Sequence, residues 1–452
     1  MPPRTSKTSA LRVAVLADSD TRWKWGALTA RRLTTGSPDA PRAAERPVEI
    51  SGLLLRGRAT PTARQLAEVG DVGVETGRVR EVTAVEFLHS VRDEGYDVVV
   101  LALVGGAVQA MLHGLAALQL PARPVVVTGY VGVVYEKLAD GLLLRHGADV
   151  VLANSRHDAE RFRAVYEGVG ADASAVTEAA LPFLGGAPHR PQQGRDTVVF
   201  AAQPSVPASR ADRTYLLRRL VEHARLHPDR EVLLKLRSKP GEHTTHIEEL
   251  PYQRLAEKLP GGLPPNFRLV YGHMGEVLDR TDLLVTVSST AALESLHRRI
   301  PTAILSDLGI REALGNHHFI GSGLLTSWDR LDGGSHPEPD EKWLAGQGVA
   351  ADGSYGTAYE TARARVEALL ATPRLPDLAP YYTPATAPGY LPGILARHHL
   401  APDGHPLPGA AAPRETGGVR GAVRDAVREA ARGAYRQGVQ RVAPVIRRMG
   451  EL

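Results

Sequence analysis

The sequence predicts an α/β protein of two Rossmann-like domains facing a cleft, followed by a C-terminal amphipathic helix. Three observations carry this expectation. Short unbroken apolar runs of the buried parallel-strand type recur along the chain, helix-patterned or turn-rich stretches separate them, and a Gly/Pro-rich break midway is followed by the same pattern again. The first run, 11–17 (LRVAVLA), ends in the polar loop Asp18, Ser19, Asp20, Thr21, Arg22, as the opening strand of a doubly wound domain does. Runs at 48–55, 97–104, 124–128 and 149–153 continue the series.

The stretch 185–195 (GGAPHRPQQGR) has the composition of a linker. Strands are then expected at 197–202, 231–236, 267–270, 282–287 and 301–305, alternating with helical patterns such as 212–226. These boundaries divide the chain into an N-terminal acceptor domain at 1–188 and a C-terminal donor domain at 189–380. A Pro/Gly-rich return segment and linker occupies 381–413, and a basic helical tail 414–452. In the tail, Val419, Val423, Val427 and Ala430 recur at helical spacing, and Arg420, Arg424, Arg428, Arg432 and Arg436 form a second row.

Composition narrows the function. At 452 residues the chain exceeds a single core, since cores seldom grow past roughly 250–300 residues. With no cysteine there is neither a disulfide framework nor a thiolate nucleophile or metal ligand. The first ten residues lack the apolar stretch of a signal peptide, and no run is long enough to span a bilayer, so a cytoplasmic protein is expected. The tail's arginines account for the net charge of +4, leaving a body too near neutral for a nucleic-acid surface. The tail itself suits an anionic membrane at the inner face of the cell membrane, or a protein partner.

The segment 282–305 (DLLVTVSSTAALESLHRRIPTAIL) is the most informative. A buried strand runs into Ser288, Ser289 and Thr290, which open a helix; Glu294 follows one turn later. Hydroxyls and free amides at a helix start cap the helix, and the same groups grip a phosphate. An acidic residue one turn on is placed to accept bonds from ribose hydroxyls. At the end of an earlier strand, Lys235, Arg237 and Lys239 alternate on an extended segment, which puts them on one side. There they would stabilise the negative charge of a departing nucleotide without a metal, or simply form a solvated strand end. His243 and His246 follow at i, i+3 spacing, with no carboxylate or cysteine set that would make them a zinc site. Neither the dinucleotide fingerprint nor the P-loop pattern occurs, and no cofactor is implied.

The run from Ser288 to Leu296, followed by Ile300-Pro301, resembles the donor-site signature of bacterial GT-B glycosyltransferases that build capsules and lipooligosaccharides. These include the polysialyltransferase, sialyltransferase and Kdo-transferase groups and, more distantly, the CDP-glycerol glycerophosphotransferases. The close match is confined to this segment. The resemblance implies a GT-B fold, a nucleotide sugar (a CMP-linked acidic sugar among the options) bound by the second domain, and a surface-glycan or lipid-linked acceptor. It also implies a serine pair on the phosphate and a His-Pro dipeptide at the end of an earlier strand. That dipeptide is missing here, so Arg237 or Lys239 would supply the charge and His243 or His246 the imidazole.

An acceptor hydroxyl must lose a proton during transfer. The expected base comes from the first domain: Asp18 or Asp20 after the first strand, with Glu136 in reserve, although aspartates in such loops commonly serve as turn formers. Trp23 and Trp25 lie in the same region and would either stack on sugar rings or pack inside. Two other functions fit the same architecture: a nucleotide-sugar epimerase, and a non-catalytic two-lobed ligand-binding protein.

Overall fold

The structure of the protein, a computed structural model, describes residues 10–34, 36–37, 40–41, 47–57, 59–70, 72–74, 79–133, 137–237, 239, 248, 250–349 and 354–409. The first half runs β1 (Leu11–Ala17), α1 (Asp20–Thr34), the short pair β2 (Gly36–Ser37) and β3 (Ala40–Pro41), β4 (Val48–Leu55), α2 (Ala63–Val69), β5 (Val79–Val82), α3 (Ala84–Glu94) and β6 (Val98–Ala102). It continues through α4 (Gly105–Ala117), β7 (Val125–Gly129), α5 (Leu138–Leu143), β8 (Val150–Ala153), α6 (Arg156–Gly168) and β9 (Val176–Glu178). Seven of these strands form a parallel sheet in the order β5-β4-β1-β6-β7-β8-β9.

The second half contains β10 (Thr197–Ala201), α7 (Arg210–Leu226), β11 (Glu231–Lys235), α8 (Tyr252–Ala256), β12 (Phe267–Val270), α9 (Met274–Leu278), β13 (Leu283–Thr286), α10 (Ala291–His297), β14 (Thr302–Leu305) and β15 (Leu325–Thr326). They make a six-stranded parallel sheet in the order β12-β11-β10-β13-β14-β15. The chain then runs through α11 (Trp328–Asp332), α12 (Glu341–Ala345), α13 (Glu360–Ala371) and α14 (Leu391–Ala396). The two-domain α/β architecture is therefore as the sequence predicts. Among the described residues no helix is long and apolar enough to cross a membrane.

The strands form where both faces are covered. Val13, Val15 and Ala17 join one apolar layer while Ala14 and Leu16 join the layer opposite, the period-2 alternation of an extended chain. The sequence places the start of five strands one residue early, at Asp97, Pro124, Asp149, Asp282 and Pro301. Each of these aspartates stands just before its strand, and its carboxylate accepts from a neighbouring strand's backbone: Arg12 N–H at 2.9 Å, Val126 N–H at 2.8 Å and Thr197 N–H at 3.0 Å. Arg123 and Arg195 reinforce Asp149 and Asp282 at 2.7 and 2.8 Å.

In both sheets the winding reverses beside the central strand, so the crevices lie at the carboxyl ends of β1/β6 and β10/β13. Here α13 departs from expectation. It is numbered with the second half but packs on α1 and on β7, β8 and β9 of the first sheet. Just before and at its start, the hydroxyls of Tyr355 and Tyr359 donate to the carbonyls of Leu181 and Ala180, and Arg32 stacks 4.3 Å from the Tyr355 ring. The linker end is thereby fixed to the first domain.

Helix α1 carries side chains into the cleft and owes its position to Gly26. A Cβ at Gly26 would lie 2.7 Å from Val15 Cγ1 and 2.8 Å from Ala102 Cβ, so the helix backbone sits directly on β1 and β6. Replacing Gly26 with Ala would gain about 1 kcal/mol of helix propensity, but overpacking against a fixed sheet costs about 1–3 kcal/mol. We expect a net loss of stability in urea or thermal unfolding of the Gly26→Ala protein; an unchanged or raised midpoint would show that the contact is looser than described.

Candidate functional site

The loops that leave the carboxyl ends of the two sheets meet each other. Asp20, the first residue of α1, accepts from Arg237, two residues past β11, at 2.8 Å, and Arg237 also donates to the Thr21 hydroxyl. Burial alone would raise the Asp20 pKa, but the Arg237 charge and the bonds from Thr21 and Arg237 outweigh it and hold the carboxyl below its ordinary value. Asp20 and Arg237, expected as a base and a donor-side cation, are thus partners in an ion pair across the cleft. Asp18 is occupied within its own domain: it accepts from the Val104 N–H at 2.9 Å and from Arg22 at 2.9 Å, tying the end of β1 to the start of α4.

Behind this bridge lies a buried charge cluster. Glu294 of α10 is only 9% exposed. Burial raises its pKa, against the opposing pull of Lys24 from α1 and of Arg298 and Lys235 from the second half. Lys24 Nζ lies 3.0 Å from His273 Nε2 at the start of α9, another contact between the halves. Burial lowers the pKa of both groups, so a neutral His273 accepts from Lys24. Lys235, at the end of β11, donates to the Leu236 carbonyl at 2.8 Å, and burial brings its pKa down to about 8. Arg298 fastens the linker by donating to Gly185 O at 2.6 Å and Gly275 O at 3.1 Å, and pairs with Asp279 at 2.6 Å.

Beside the cluster is a cavity of about 540 Å³ between the domains. Lys24, Leu28 and Arg32 of α1, Glu68 of α2, Phe183 just before the linker, and His273 and Glu276 of the second domain contribute to its wall. Its size falls in the range of small-molecule sites.

The serine-rich strand end is more committed to the fold than its sequence suggests. The Ser288 hydroxyl donates to the Leu314 carbonyl at 2.5 Å and also meets the Gln203 side chain at 3.2 Å, and the residue is 2% exposed. Its proton is therefore not free for a phosphate, which corrects the expected role. Ser289 Oγ accepts from the Ala291 N–H at 3.2 Å, so it acts as a local cap. Thr290 lies beneath the first domain, where a Cβ on Gly132 would come within 2.8 Å of its hydroxyl. Residues Ala291 to Leu296 are all buried, and Ala292, Leu293 and Leu296 share an apolar cluster with Trp25, Tyr355 and Tyr359 of the first domain's side.

Two further expectations change. Trp23 and Trp25 lie on α1 rather than in a loop and are 3% and 0% exposed, so they are core side chains and present no face to a sugar. Of the alternating cations, Lys235 and Arg237 both reach the seam, while Lys239 lies 6.0 Å from the Tyr271 ring. Glu136, His243 and His246 lie outside the described residues.

Lys24 and His273 were not anticipated. The usable signal for Lys24 is its i+4 spacing from Asp20 once the helix is known to begin there; His273 carried none. The metal-type cluster found among the described residues, His223, His227 and Asp332, lies at the far end of α7. His223 Nδ1 meets Asp332 at 2.6 Å and Nε2 meets Arg230 at 3.0 Å, a hydrogen-bonded relay that occupies both ring nitrogens.

Similarity to known proteins follows the fold. The UDP-GlcNAc 2-epimerase of Neisseria meningitidis bound to UDP-GlcNAc superposes over 80% of this chain and 100% of its own, at 10% identity and a TM-score of 0.50. The S. aureus MnaA-UDP structure does so over 78% and 94%, at 11% identity and a TM-score of 0.50. At such identities the likeness is one of fold, the two-domain arrangement shared by these epimerases and GT-B enzymes. Among curated proteins none matches. The model of one family spans residues 13–369, most of the chain, and the protein accordingly belongs to that family, described as putative glycosyltransferase, DUF6716.

Proposed function

We propose that the protein transfers a sugar from a nucleotide-activated donor held in the cavity between its domains to an acceptor entering from the first domain. The observation that carries this is the cavity of about 540 Å³ walled by Lys24 and Arg32 on one side and His273 on the other, with Glu294 and Lys235 adjoining it. A departing nucleotide gains negative charge on its phosphate, and cations fixed in a site of low dielectric stabilise that charge with little reorganisation. Lys24 and Lys235 are such cations, and Arg237 joins them when it leaves Asp20. Ser289, whose hydroxyl only accepts from the Ala291 N–H, is the hydroxyl of the serine-rich segment left for the donor, with Thr290 beside it against Gly132, and Glu294 keeps the lysines in place and accepts from a ribose.

The family description supports glycosyl transfer. MnaA holds UDP and the meningococcal epimerase UDP-GlcNAc, so uridine nucleotides come first in a donor panel. CMP-linked acidic sugars, which the serine-rich segment's resemblance suggests, come second. The acceptor we propose is a surface glycan or its lipid-linked precursor, reached in the cytoplasm at the inner face of the membrane with the aid of the basic tail at 414–452.

Calorimetric titration with UDP, CDP and CMP, followed by incubation of the matching sugar donors with and without acceptor glycans, tests the assignment. Saturable nucleotide binding and acceptor-dependent release of nucleotide are expected. An isomerised nucleotide sugar formed without acceptor would instead identify an epimerase, and binding without turnover a ligand-binding protein.

Two further outcomes follow from the charge cluster. The substitution Lys24→Gln removes a charge-assisted bond of about 1.5–3 kcal/mol, so the Kd of the preferred nucleotide should rise roughly tenfold to a hundredfold; a Kd within twofold of the parent would remove Lys24 from the site. Lys235 is protonated below about pH 8 and loses its charge above it. Nucleotide affinity should therefore hold on the acid side of that value and fall as pH rises beyond it, by at most about tenfold per unit for one proton. A Lys235→Met variant should abolish that dependence.

A further inference from the structure

We infer that the two domains are held against each other through neutral histidines, so that protonation of His273 and His318 opens the cleft between them. This control of the cleft goes beyond the transferase reading and does not depend on what the cavity binds. Both histidines belong to the second domain, and each meets the first domain at its own place along the seam. His273, just ahead of α9, lies with Nε2 3.0 Å from Lys24 Nζ of α1. His318, in the short helical turn Asn316–Phe319 after β14, has its ring 6.4 Å from that of His157 at the start of α6. It also packs 6.2 Å from the ring of Trp343.

The groups around each ring suit an uncharged imidazole and oppose a charged one. Facing His273 are Lys24 of α1, Lys235 at the end of β11 and Arg298 just after α10, with Glu276 of the adjoining α9 as the opposing carboxylate. Glu294 acts on Lys24 and Lys235. A neutral His273 accepts from Lys24, whereas a protonated one turns an N–H toward an ammonium. Facing His318 are His157 and Arg161 of α6 and its neighbour His317, and the Gln347 side chain bonds to the ring. Glu160 of α6 acts on His157. His317 Nδ1 and His318 Nε2 are buried with no hydrogen-bond partner among the described residues, so a proton arriving there is better served by water than by the closed seam.

Burial first, and then the neighbouring cations, lower the pKa of both histidines, that of His318 to about 4. An imidazole that is harder to protonate in the closed form than in water favours closure fully above its ordinary value of about 6.5 and withdraws that preference as pH falls below it. Through His318 the ratio of open to closed molecules therefore rises by up to about tenfold per pH unit down to about pH 4, and His273 adds in the same direction. The bridge between Asp20 and Arg237 stays charged in this range, because Arg237 holds the Asp20 carboxyl low, but solvent screens it and it adds little to closure. Histidines that charge at an interface are a general means of turning pH into domain movement.

The chain has no cysteine, so a single introduced thiol reports opening without background. Ala292 of α10 is buried in the apolar cluster shared with Trp25 and Tyr355 of the first domain's side, whereas Val198 of β10 is buried among second-domain residues. Labelling of an Ala292→Cys protein with dithiodipyridine, normalised to a free thiol at each pH, should accelerate roughly thirtyfold or more between about pH 7.5 and about pH 5. A Val198→Cys protein should stay protected. Adding His273→Gln and His318→Gln, which keep neutral polar side chains at both places, should remove the acceleration. An acceleration of less than about threefold, an equal one at Val198→Cys, or one that survives the double substitution overturns the switch. If the doubly substituted protein does not fold, the single substitutions decide: each must reduce the acceleration, and one that leaves it unchanged overturns the role of that histidine. No nucleotide enters the measurement, so its failure leaves the transferase assignment intact, and a protein that turns over no donor can still open with acid.

Discussion

A carboxylate enclosed between two domains cannot stand alone, and the arrangement around Glu294 follows from that constraint. Isolated burial of its charge would cost many kcal/mol, and proteins answer by pairing, protonation or both. Here Lys24 comes from the first domain and Lys235 and Arg298 from the second, while burial raises the pKa of the acid and lowers those of both lysines. Three cations face the one buried acid, and of the three Arg298 has its own ion-pair partner, Asp279 at 2.6 Å. The cluster holds cations in place, which suits the nucleotide binding proposed above. The same residues register the domains against one another, because Lys24 also meets His273 and Arg298 also grips the linker.

Placement of these groups follows from sheet topology. Parallel strands deliver their loops to one end, and the reversal beside the central strand opens a crevice there. In the first sheet this brings together Asp18, Asp20 and the start of α4; in the second it brings together Gln203, Ser288 and the start of α10. Gly26 lets α1 lie directly on β1 and β6, and the helix then carries Asp20 to Arg237 and, one turn later, Lys24 to His273. A single close backbone contact therefore sets two of the bridges between the domains.

Much of the fold was legible in the sequence because a buried parallel strand announces itself as an unbroken apolar run, and ten such runs appear as strands. The unread strands are the two-residue pair β2 and β3 and the short edge strands β5, β9 and β15, whose composition is set by neighbours distant in sequence. The site was legible only in part. Arg237, Lys235 and Glu294 were named because charged residues at strand and helix ends stand out. Ser288 was misjudged since a hydroxyl that grips phosphate and one that satisfies a backbone carbonyl, here that of Leu314, have the same local pattern. Trp23 and Trp25 read as loop residues because only two residues separate β1 from α1, too short a spacer to mark the helix onset. His273 belongs to the cleft only through the fold, and no local pattern distinguishes it.

The bridge between Asp20 and Arg237 has a particular place in this arrangement. Its side chains are 18% and 30% exposed, so solvent screens the pair, and such pairs contribute about 0–1 kcal/mol. An arginine loses little by exchanging that carboxylate for a phosphate, to which its planar fork binds at least as well. The structure thus keeps its more buried attachments, Arg298 on the linker and Arg32 among Tyr355, Tyr359 and Pro182, away from this bridge. The weak attachment lies at the mouth of the cleft. Any separation of the domains there would part Asp20 from Arg237 while leaving the contacts of Arg298 and Arg32 in place, and it would release the arginine for an anion.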